Sequence, residues 1–143
     1  MRDTETGVSM EPGEPVLRVV PMARDVNVSG DVFGGWLMSQ ADIAGSILAY
    51  REARGRVATV GVRRFDFRRP VFVGDVVSFY AAIERVGTTS ITVTIEVFAD
   101  RRPPVDDYRE ERVLVAQATI VYVAIDSARR PRPVFPSCDS EKP

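Results

Sequence analysis

The feature that most constrains the fold of this chain is one long apolar helix among segments that otherwise have strand patterns. Residues 33–54 carry apolar and small side chains at helical spacing, and the only charged residue from Phe33 to Tyr50 is Asp42. The apolar stripe consists of Leu37, Ala41, Ala44 and Leu48, widened by Met38, Gly45 and Ala49. Gly55 marks the predicted C-terminal end, so the helix has about six turns.

Strand patterns lie on both sides of this helix. Residues 16–22 form a short apolar run, and Pro21 predicts an edge strand because proline cannot donate to a β-ladder. Four further strands are predicted after the helix, at residues 57–67, 75–86, 90–99 and 113–125. The tight turn Gly87-Thr88-Thr89 joins two of these strands into a hairpin. The charged segment 100–112 is predicted to be a long solvated loop.

This element order determines the predicted fold class. One helix is too few for a β-α-β sandwich, in which helices cover both faces of a sheet. The economical arrangement is α+β, with one curved antiparallel sheet of about five strands wrapped around one central helix, which is the hotdog fold. Because such a sheet has open edges, we expect chains to pair into a larger oligomeric sheet.

The length of 143 residues is that of one domain. We assign residues 16–128 to this domain. Residues 1–15 are predicted to be a flexible leader, and residues 129–143 a Pro-rich C-terminal tail without fixed structure.

The composition excludes several kinds of chemistry. The chain has no histidine, which removes Ser-His-Asp and Cys-His catalysis and the usual His-bearing metal sites. A single cysteine, Cys138, excludes an internal disulfide and a Cys-rich zinc site. The one lysine, Lys142, argues against Schiff-base chemistry. Acid–base chemistry therefore falls to Asp, Glu, Tyr, Lys or water, and we expect no metal and no other cofactor.

Charge and hydropathy bear on the partners and the location of the protein. A net charge of −1 and a pI near 5.5 argue against nucleic-acid binding. No apolar run reaches the roughly 18 residues of a membrane span, so no membrane partner is expected. The first 20 residues lack the apolar core of a secretory signal, which favours a cytoplasmic protein.

Asp42 is the first candidate for chemistry. A carboxylate in an apolar helix is costly unless it is paired or used, so Asp42 is either a site residue or a charge facing solvent or a partner chain. Gly34 and Gly35 lie at the helix start, where free N–H groups and the positive end of the helix dipole offer donors to an oxyanion. The alternative for this pair is a glycine turn that admits the bulky Trp36.

Several separate motifs resemble the bacterial acyl-CoA hydrolase family of hotdog thioesterases, over residues 16–136. They occur in the family's order at residues 27–42 (NVSGDVFGGWLMSQAD), 55–60 (GRVATV), 67–71 (FRRPV), 73–77 (VGDVV), 87–90 (GTTS) and 122–126 (YVAID). The resemblance implies hydrolysis of an acyl-CoA thioester of short to medium or broad chain range, giving free CoA and a carboxylic acid. Coenzyme A is then part of the substrate and product and not a cofactor.

The resemblance also implies roles for particular residues. Asp42 would be the general base or nucleophile, and the N–H groups of Gly35 and Gly34 would hold the thioester oxygen. Asp31 would complete the site from the neighbouring protomer, with Asn27 as a further contact. The family further suggests a homodimer as the smallest active unit and a hexamer built as a trimer of dimers.

Arginines provide candidate contacts for the CoA phosphates. Residues 51–69 hold seven arginines against Glu52 and Asp66, a local charge of 7 − 2 = +5. The candidate substrate-binding residues are Arg56, Thr59, Arg68 and Arg69, and in the turn Gly87, Thr88, Thr89 and Ser90. A solvated strand face and a plain hairpin turn are the respective alternatives.

Three other functions compete with the thioesterase. A hotdog protein that binds acyl-CoA without hydrolysing it has no need of a carboxylate beside the thioester, so Asp42 favours the enzyme. A hotdog dehydratase or hydratase would use a catalytic histidine that this chain lacks. Nucleic-acid binding through the arginines would show a steep salt dependence.

Overall fold

The structure is a computed structural model that describes residues 13–103 and 108–136. A 3₁₀ turn, Ala23–Asp25, lies between the first strand and the helix. The helix and strands are β1 (Leu17–Val19), α1 (Gly34–Ala53), β2 (Val57–Phe67), β3 (Val76–Val86), β4 (Ser90–Arg101) and β5 (Glu111–Ala124). The predicted helix and all five predicted strands are therefore present, with ends shifted by a few residues.

The five strands form one antiparallel sheet in the order β1-β3-β4-β5-β2. The short strand β1 lies at one edge, as Pro21 predicted, and the long strand β2 lies at the other edge. The helix α1 contacts β2, β3, β4 and β5 on one face of this sheet. The predicted α+β hotdog fold is confirmed.

Small side chains let α1 approach the sheet closely. The residues of the helix that are buried against the sheet are Leu37, Ala41, Ala44, Gly45, Ala49 and Ala53. Opposite them lie Phe79, Ile91, Ile95 and Ile120, all fully buried on the inner face. The apolar strand residues thus supply most of the core volume, and the helix supplies a nearly flat surface for them to pack on.

The outer face of the sheet carries buried polar side chains. Ser78, Tyr80, Glu96 and Gln117 are buried there although the strand alternation points them away from the helix. Arginine side chains are hydrogen-bonded to three of them. Arg18 Nε donates to Ser78 Oγ at 2.9 Å, Arg68 donates to Gln117, and Arg112 donates to the Tyr80 hydroxyl. Long arginine stems shield the polar groups from water while their heads satisfy them.

The predicted loop 100–112 is wrong in its extent. Strand β4 continues to Arg101 and β5 begins at Glu111, because the charged residues at these ends face each other across the strands. Asp100 pairs with Arg112 at 3.5 Å, and Arg101 stands opposite Glu111. Part of the remaining connection, residues 104–107, lies outside the described residues.

The prediction of no fixed structure is wrong for residues 129–136. The N–H groups of Arg132 and Val134 donate to the carbonyls of Ala124 and Thr88, at 2.9 and 2.8 Å, and Val134 is only 2% exposed. Pro131 and Pro133 alternate with these two donors, so the missing proline N–H groups fall where no hydrogen bond is made. Residues 137–143, with Cys138 and Lys142, and residues 1–12 of the predicted leader lie outside the described residues.

Among the described residues, no helix is long and apolar enough to cross a membrane.

We expect Val134→Ala to lower the free energy of unfolding by about 2 kcal/mol, because the buried side chain loses two methyl groups and leaves a cavity. Urea denaturation at fixed protein concentration measures this change. Val28→Ala removes the same atoms from a fully exposed position and should change stability by less than about 0.5 kcal/mol. Equal effects of the two substitutions would show that residues 129–136 do not contribute to the core.

Candidate active site

The Asp42 carboxylate is half-buried between α1 and the sheet and is hydrogen-bonded from two strands. Thr59 Oγ1, on β2, donates to Asp42 Oδ1 at 2.8 Å. The Tyr122 hydroxyl, on β5, donates to the same oxygen at 3.1 Å and to the Asp42 carbonyl at 2.9 Å. Asp42 is therefore a positioned carboxylate, and the alternative of a charge turned freely toward solvent does not describe it.

Tyr122 has a perturbed environment because of this contact. Its side chain is fully buried, and burial raises the pKa of the phenol well above its ordinary value, assisted by the charge and the hydrogen bond of Asp42. The phenol therefore stays protonated at physiological pH and acts toward Asp42 only as a donor.

The loop before α1 is folded by Asn27. Its Oδ1 accepts hydrogen bonds from the N–H groups of Ser29 at 2.8 Å and Asp31 at 3.1 Å. Gly30 has a φ of +92°, which favours glycine, and its N–H donates to the Asn27 carbonyl at 3.0 Å. The side-chain oxygen of Asn27 is thus used to shape the loop, which leaves its amide nitrogen for a ligand.

The two glycines at the start of α1 differ in their surroundings. A Cβ on Gly34 would stand 3.1 Å from the Phe67 ring, so this glycine lets Phe67 of β2 pack over the helix start. A Cβ on Gly35 would meet no atom within 4 Å, so its backbone faces open space. Neither N–H donates a hydrogen bond within the described residues. Both are free donors at the positive end of the helix dipole.

A cleft of about 350 Å³ lies at this helix start. It brings together five of the residues predicted from the sequence: Asn27, Asp31, Gly34, Arg68 and Arg69. Val32, Leu37, Phe67, Pro70 and Val71 provide the rest of its lining. The arrangement offers donors and positive charge beside an apolar surface, which suits a polar group attached to an acyl chain.

A hydrogen-bonded chain of side chains holds Arg68 in this cleft. Arg68 Nη2 donates to Gln117 Oε1 at 2.5 Å, and Gln117 Nε2 donates to Glu96 Oε2 at 3.3 Å. Gln117 and Glu96 are both buried on the outer face of the sheet. This row of hydrogen bonds could not be predicted from the sequence, because its members lie on three different segments.

Asp42 does not line the cleft. Seven residues separate Gly35 from Asp42, a rise of about 10 Å along the helix. In one protomer the structure therefore keeps the predicted base apart from the predicted oxyanion donors and from Asp31.

The remaining predicted residues lie at the other end of the helix. Arg56 lines a depression of about 950 Å³ between the C-terminal end of α1 and residues 125–136. The carbonyls of Thr88 and Thr89 accept from Val134 and Ala124, at 2.8 and 2.9 Å. Gly87 N–H donates to the Ser90 carbonyl at 2.8 Å and is not free for a phosphate. This group is separate from the Arg68 and Arg69 cleft within one chain.

Sequence reasoning missed the role of Tyr122 as a hydrogen-bond donor to Asp42. Its only sequence signal is a phenol among the apolar and small residues 118–124, and its partner Asp42 lies 80 residues away. Within the described residues, no group of three His, Cys, Asp or Glu side chains is close enough to hold a metal ion.

Comparison with known proteins agrees with the family resemblance. The Thioesterase superfamily model matches residues 29–105. The acyl-CoA thioester hydrolase YciA of Salmonella typhimurium is 48% identical over 124 residues, which cover 85% of this chain and 90% of the relative.

Two solved structures are also similar. Cj0915, a hexameric hotdog fold thioesterase of Campylobacter jejuni, matches with a TM-score of 0.82 and 37% identity, covering 87% of this chain and 92% of that chain. HI0827, a hexameric broad specificity acyl-coenzyme A thioesterase, matches with a TM-score of 0.78 and 38% identity, covering 94% and 90%. This chain therefore belongs to the thioesterase superfamily, as a hotdog-fold member of its acyl-CoA thioester hydrolases.

Proposed function

We propose that this protein hydrolyses acyl-CoA thioesters to free CoA and a carboxylic acid, with Asp42 as the general base or nucleophile. The observation that carries the proposal is the half-buried Asp42 carboxylate, held by Thr59 and Tyr122 on a helix stretch without other charges. The names of the similar proteins support the substrate class, and the broad specificity of HI0827 supports a broad acyl-chain range.

Both roles of Asp42 complete the reaction without a strong acid. As a general base, the carboxylate takes a proton from a water molecule whose oxygen bonds to the thioester carbon. As a nucleophile, a carboxylate oxygen bonds to that carbon directly, and water later hydrolyses the anhydride. In either case the C–S bond breaks and the CoA thiolate leaves and takes up a proton. No cofactor enters these steps.

We propose that each site is shared between two protomers. Reacting atoms must lie within about 3.5 Å of each other, whereas Gly35 and Asp42 of one chain are separated by about 10 Å of helix. One thioester can reach both groups when Asp42 comes from one chain and the free N–H of Gly35 from a second copy. Asp31 and Asn27 lie beside Gly34 and belong to the second copy's half of the site.

The exposed edge of the sheet supports such a dimer. Strand β2 has 11 residues at the edge, and Val60 and Val62 on it are 59% and 44% exposed. A long edge strand with exposed apolar side chains tends to pair with a strand of another chain, because its backbone N–H and C=O groups are unpaired. Thr59, which holds Asp42, is on the same strand, so pairing along β2 would bring the second copy to the site. The hexameric relatives support a trimer of such dimers.

We further propose that arginine side chains bind the CoA part of the substrate. Arg68 and Arg69 line the cleft at the helix start and are our candidates for contacts with the CoA phosphates. Arg56 and the residues of the Gly87–Ser90 turn lie at the other end of α1, so they would serve a different part of CoA or a site on another protomer. The cytoplasmic location stays a prediction from the sequence.

We expect Asp42→Asn to lose about 10²–10⁴ of kcat in a free-thiol release assay with acyl-CoA substrates from acetyl to palmitoyl, because an amide neither accepts the proton nor attacks the carbon. Asp66→Asn is the matched control, since Asp66 is paired with Arg64 at 2.6 Å, away from Asp42. Turnover in Asp42→Asn equal to that of the wild type would refute the role of Asp42. No turnover by the wild type would favour an acyl-CoA-binding protein without catalysis.

We expect Gly35→Pro to lower kcat by about 10²–10³, because it removes one N–H donor from the oxyanion site. Proline is tolerated in the first turn of a helix, and a Cβ at this position meets no neighbouring atom. Gly35→Ala keeps the N–H and is the control, with kcat expected near the wild-type value. A similar loss in both variants would mean that shape, and not the donor, matters at Gly35.

Mixing the two inactive variants tests the shared site. In a dimer of Asp42→Asn with Gly35→Pro, one site carries both defects and the other carries none. Refolding an equal mixture should therefore recover about a quarter of the wild-type rate, if protomers pair at random. An active monomer by light scattering, or a mixture that stays inactive while forming mixed dimers, would contradict the shared site.

A further inference from the structure

We infer that Tyr122 is a positioning residue for Asp42 and that Oδ2 is the oxygen of Asp42 that reacts. This inference rests on the proposed role of Asp42 in thioester hydrolysis and specifies how the fold prepares that carboxylate.

Both side-chain hydrogen bonds to Asp42 fall on the same oxygen. Thr59 Oγ1 and the Tyr122 hydroxyl donate to Oδ1, at 2.8 and 3.1 Å. Within residues 13–103 and 108–136, no group donates to Oδ2. The lone pairs of Oδ1 are occupied, so Oδ2 is the oxygen with lone pairs available for a water proton or for the thioester carbon.

Tyr122 also holds the backbone of the residue it orients. Its single hydroxyl proton is shared, in a three-centre hydrogen bond, between the Asp42 carbonyl at 2.9 Å and Oδ1 at 3.1 Å. One rigid phenol from the sheet thus spans the main chain and the side chain of Asp42. Rotation of the carboxylate about Cβ–Cγ would break the Tyr122 and Thr59 contacts together, so the direction in which Oδ2 points is fixed relative to the sheet.

Gly45 makes this contact possible. A Cβ at position 45 would overlap the Tyr122 hydroxyl and stand 3.1 Å from Cδ1 of Ile95. Gly45 is one turn after Asp42, in the buried interior of α1, where glycine is less favourable than alanine. The absence of a side chain at position 45 leaves the space through which the Tyr122 phenol reaches Asp42.

The phenol is suited to hold Asp42 and not to exchange protons with it. Burial raises the pKa of Tyr122, and the neighbouring carboxylate raises it further. Tyr122 therefore keeps its proton across the working pH range and remains a donor to Oδ1. The proton taken up during hydrolysis goes to Oδ2, or to no carboxylate oxygen when Oδ2 itself attacks the thioester carbon.

Two substitutions test the inference by different routes. Tyr122→Phe removes only the hydroxyl, and Gly45→Ala leaves Tyr122 intact but fills the space that its hydroxyl occupies. We expect each to lower kcat by about 10- to 100-fold with KM within about twofold of the wild type, because the substrate-binding groups are unchanged while the reacting oxygen is misdirected.

Tyr80→Phe is the matched control. Tyr80 is also buried and hydrogen-bonded, but its hydroxyl accepts from Arg112 on the outer face of the sheet. Circular dichroism and light scattering establish that each variant is folded and assembled. A merely structural role of Tyr122 would lower the melting temperature of Tyr122→Phe and leave kcat per folded site unchanged.

The outcomes separate this inference from the proposed function. An inactive Asp42→Asn together with Tyr122→Phe and Gly45→Ala variants of wild-type kcat would overturn the positioning role alone. A loss of kcat in Tyr80→Phe as large as that in Tyr122→Phe would overturn it as well. An Asp42→Asn variant with full turnover would refute the proposed function itself. A loss of kcat at constant KM in Tyr122→Phe and Gly45→Ala, absent from Tyr80→Phe, supports the inference.

Discussion

The arrangement of this protein depends on how closely one helix approaches one sheet. Alanine and glycine on the inner surface of α1 leave little side-chain volume between the helix backbone and the strands. A bulkier helix surface would hold the two layers farther apart, and no side chain from the sheet could then reach a polar group of the helix. Close approach therefore serves both packing and the placement of the Asp42 carboxylate.

Two parts of the proposed site lie at different positions along the same helix. The free N–H groups of Gly34 and Gly35 are at its first turn, and Asp42 is two turns later. A rigid helix keeps these groups about 10 Å apart, so a single chain cannot use them on one thioester. The requirement for a second copy follows from helix geometry, and the open edge at β2 offers a surface on which that copy can bind.

The sequence predicts well those features that depend on neighbouring residues. The helix and the strands follow from apolar spacing, and the cleft residues Asn27, Asp31 and Gly34 lie close together in the chain. Tyr122 and Gln117 were not predicted as site residues, because their partners are brought near only by the sheet register. The order of residues 129–136 was not predicted for a similar reason, since the N–H groups of Arg132 and Val134 donate to the carbonyls of Ala124 on β5 and Thr88 in the hairpin turn.

The contact of Arg132 with the helix end has a consequence for the order in which the chain folds during synthesis. Arg132 Nη2 donates at 2.9 Å to the Ala53 carbonyl in the last turn of α1, 79 residues earlier. The helix itself can form as soon as its own residues have emerged, but this terminal acceptor stays exposed to water until residue 132 arrives. The residues of α1 therefore leave the ribosome well before Arg132 can donate this hydrogen bond to the end of the helix.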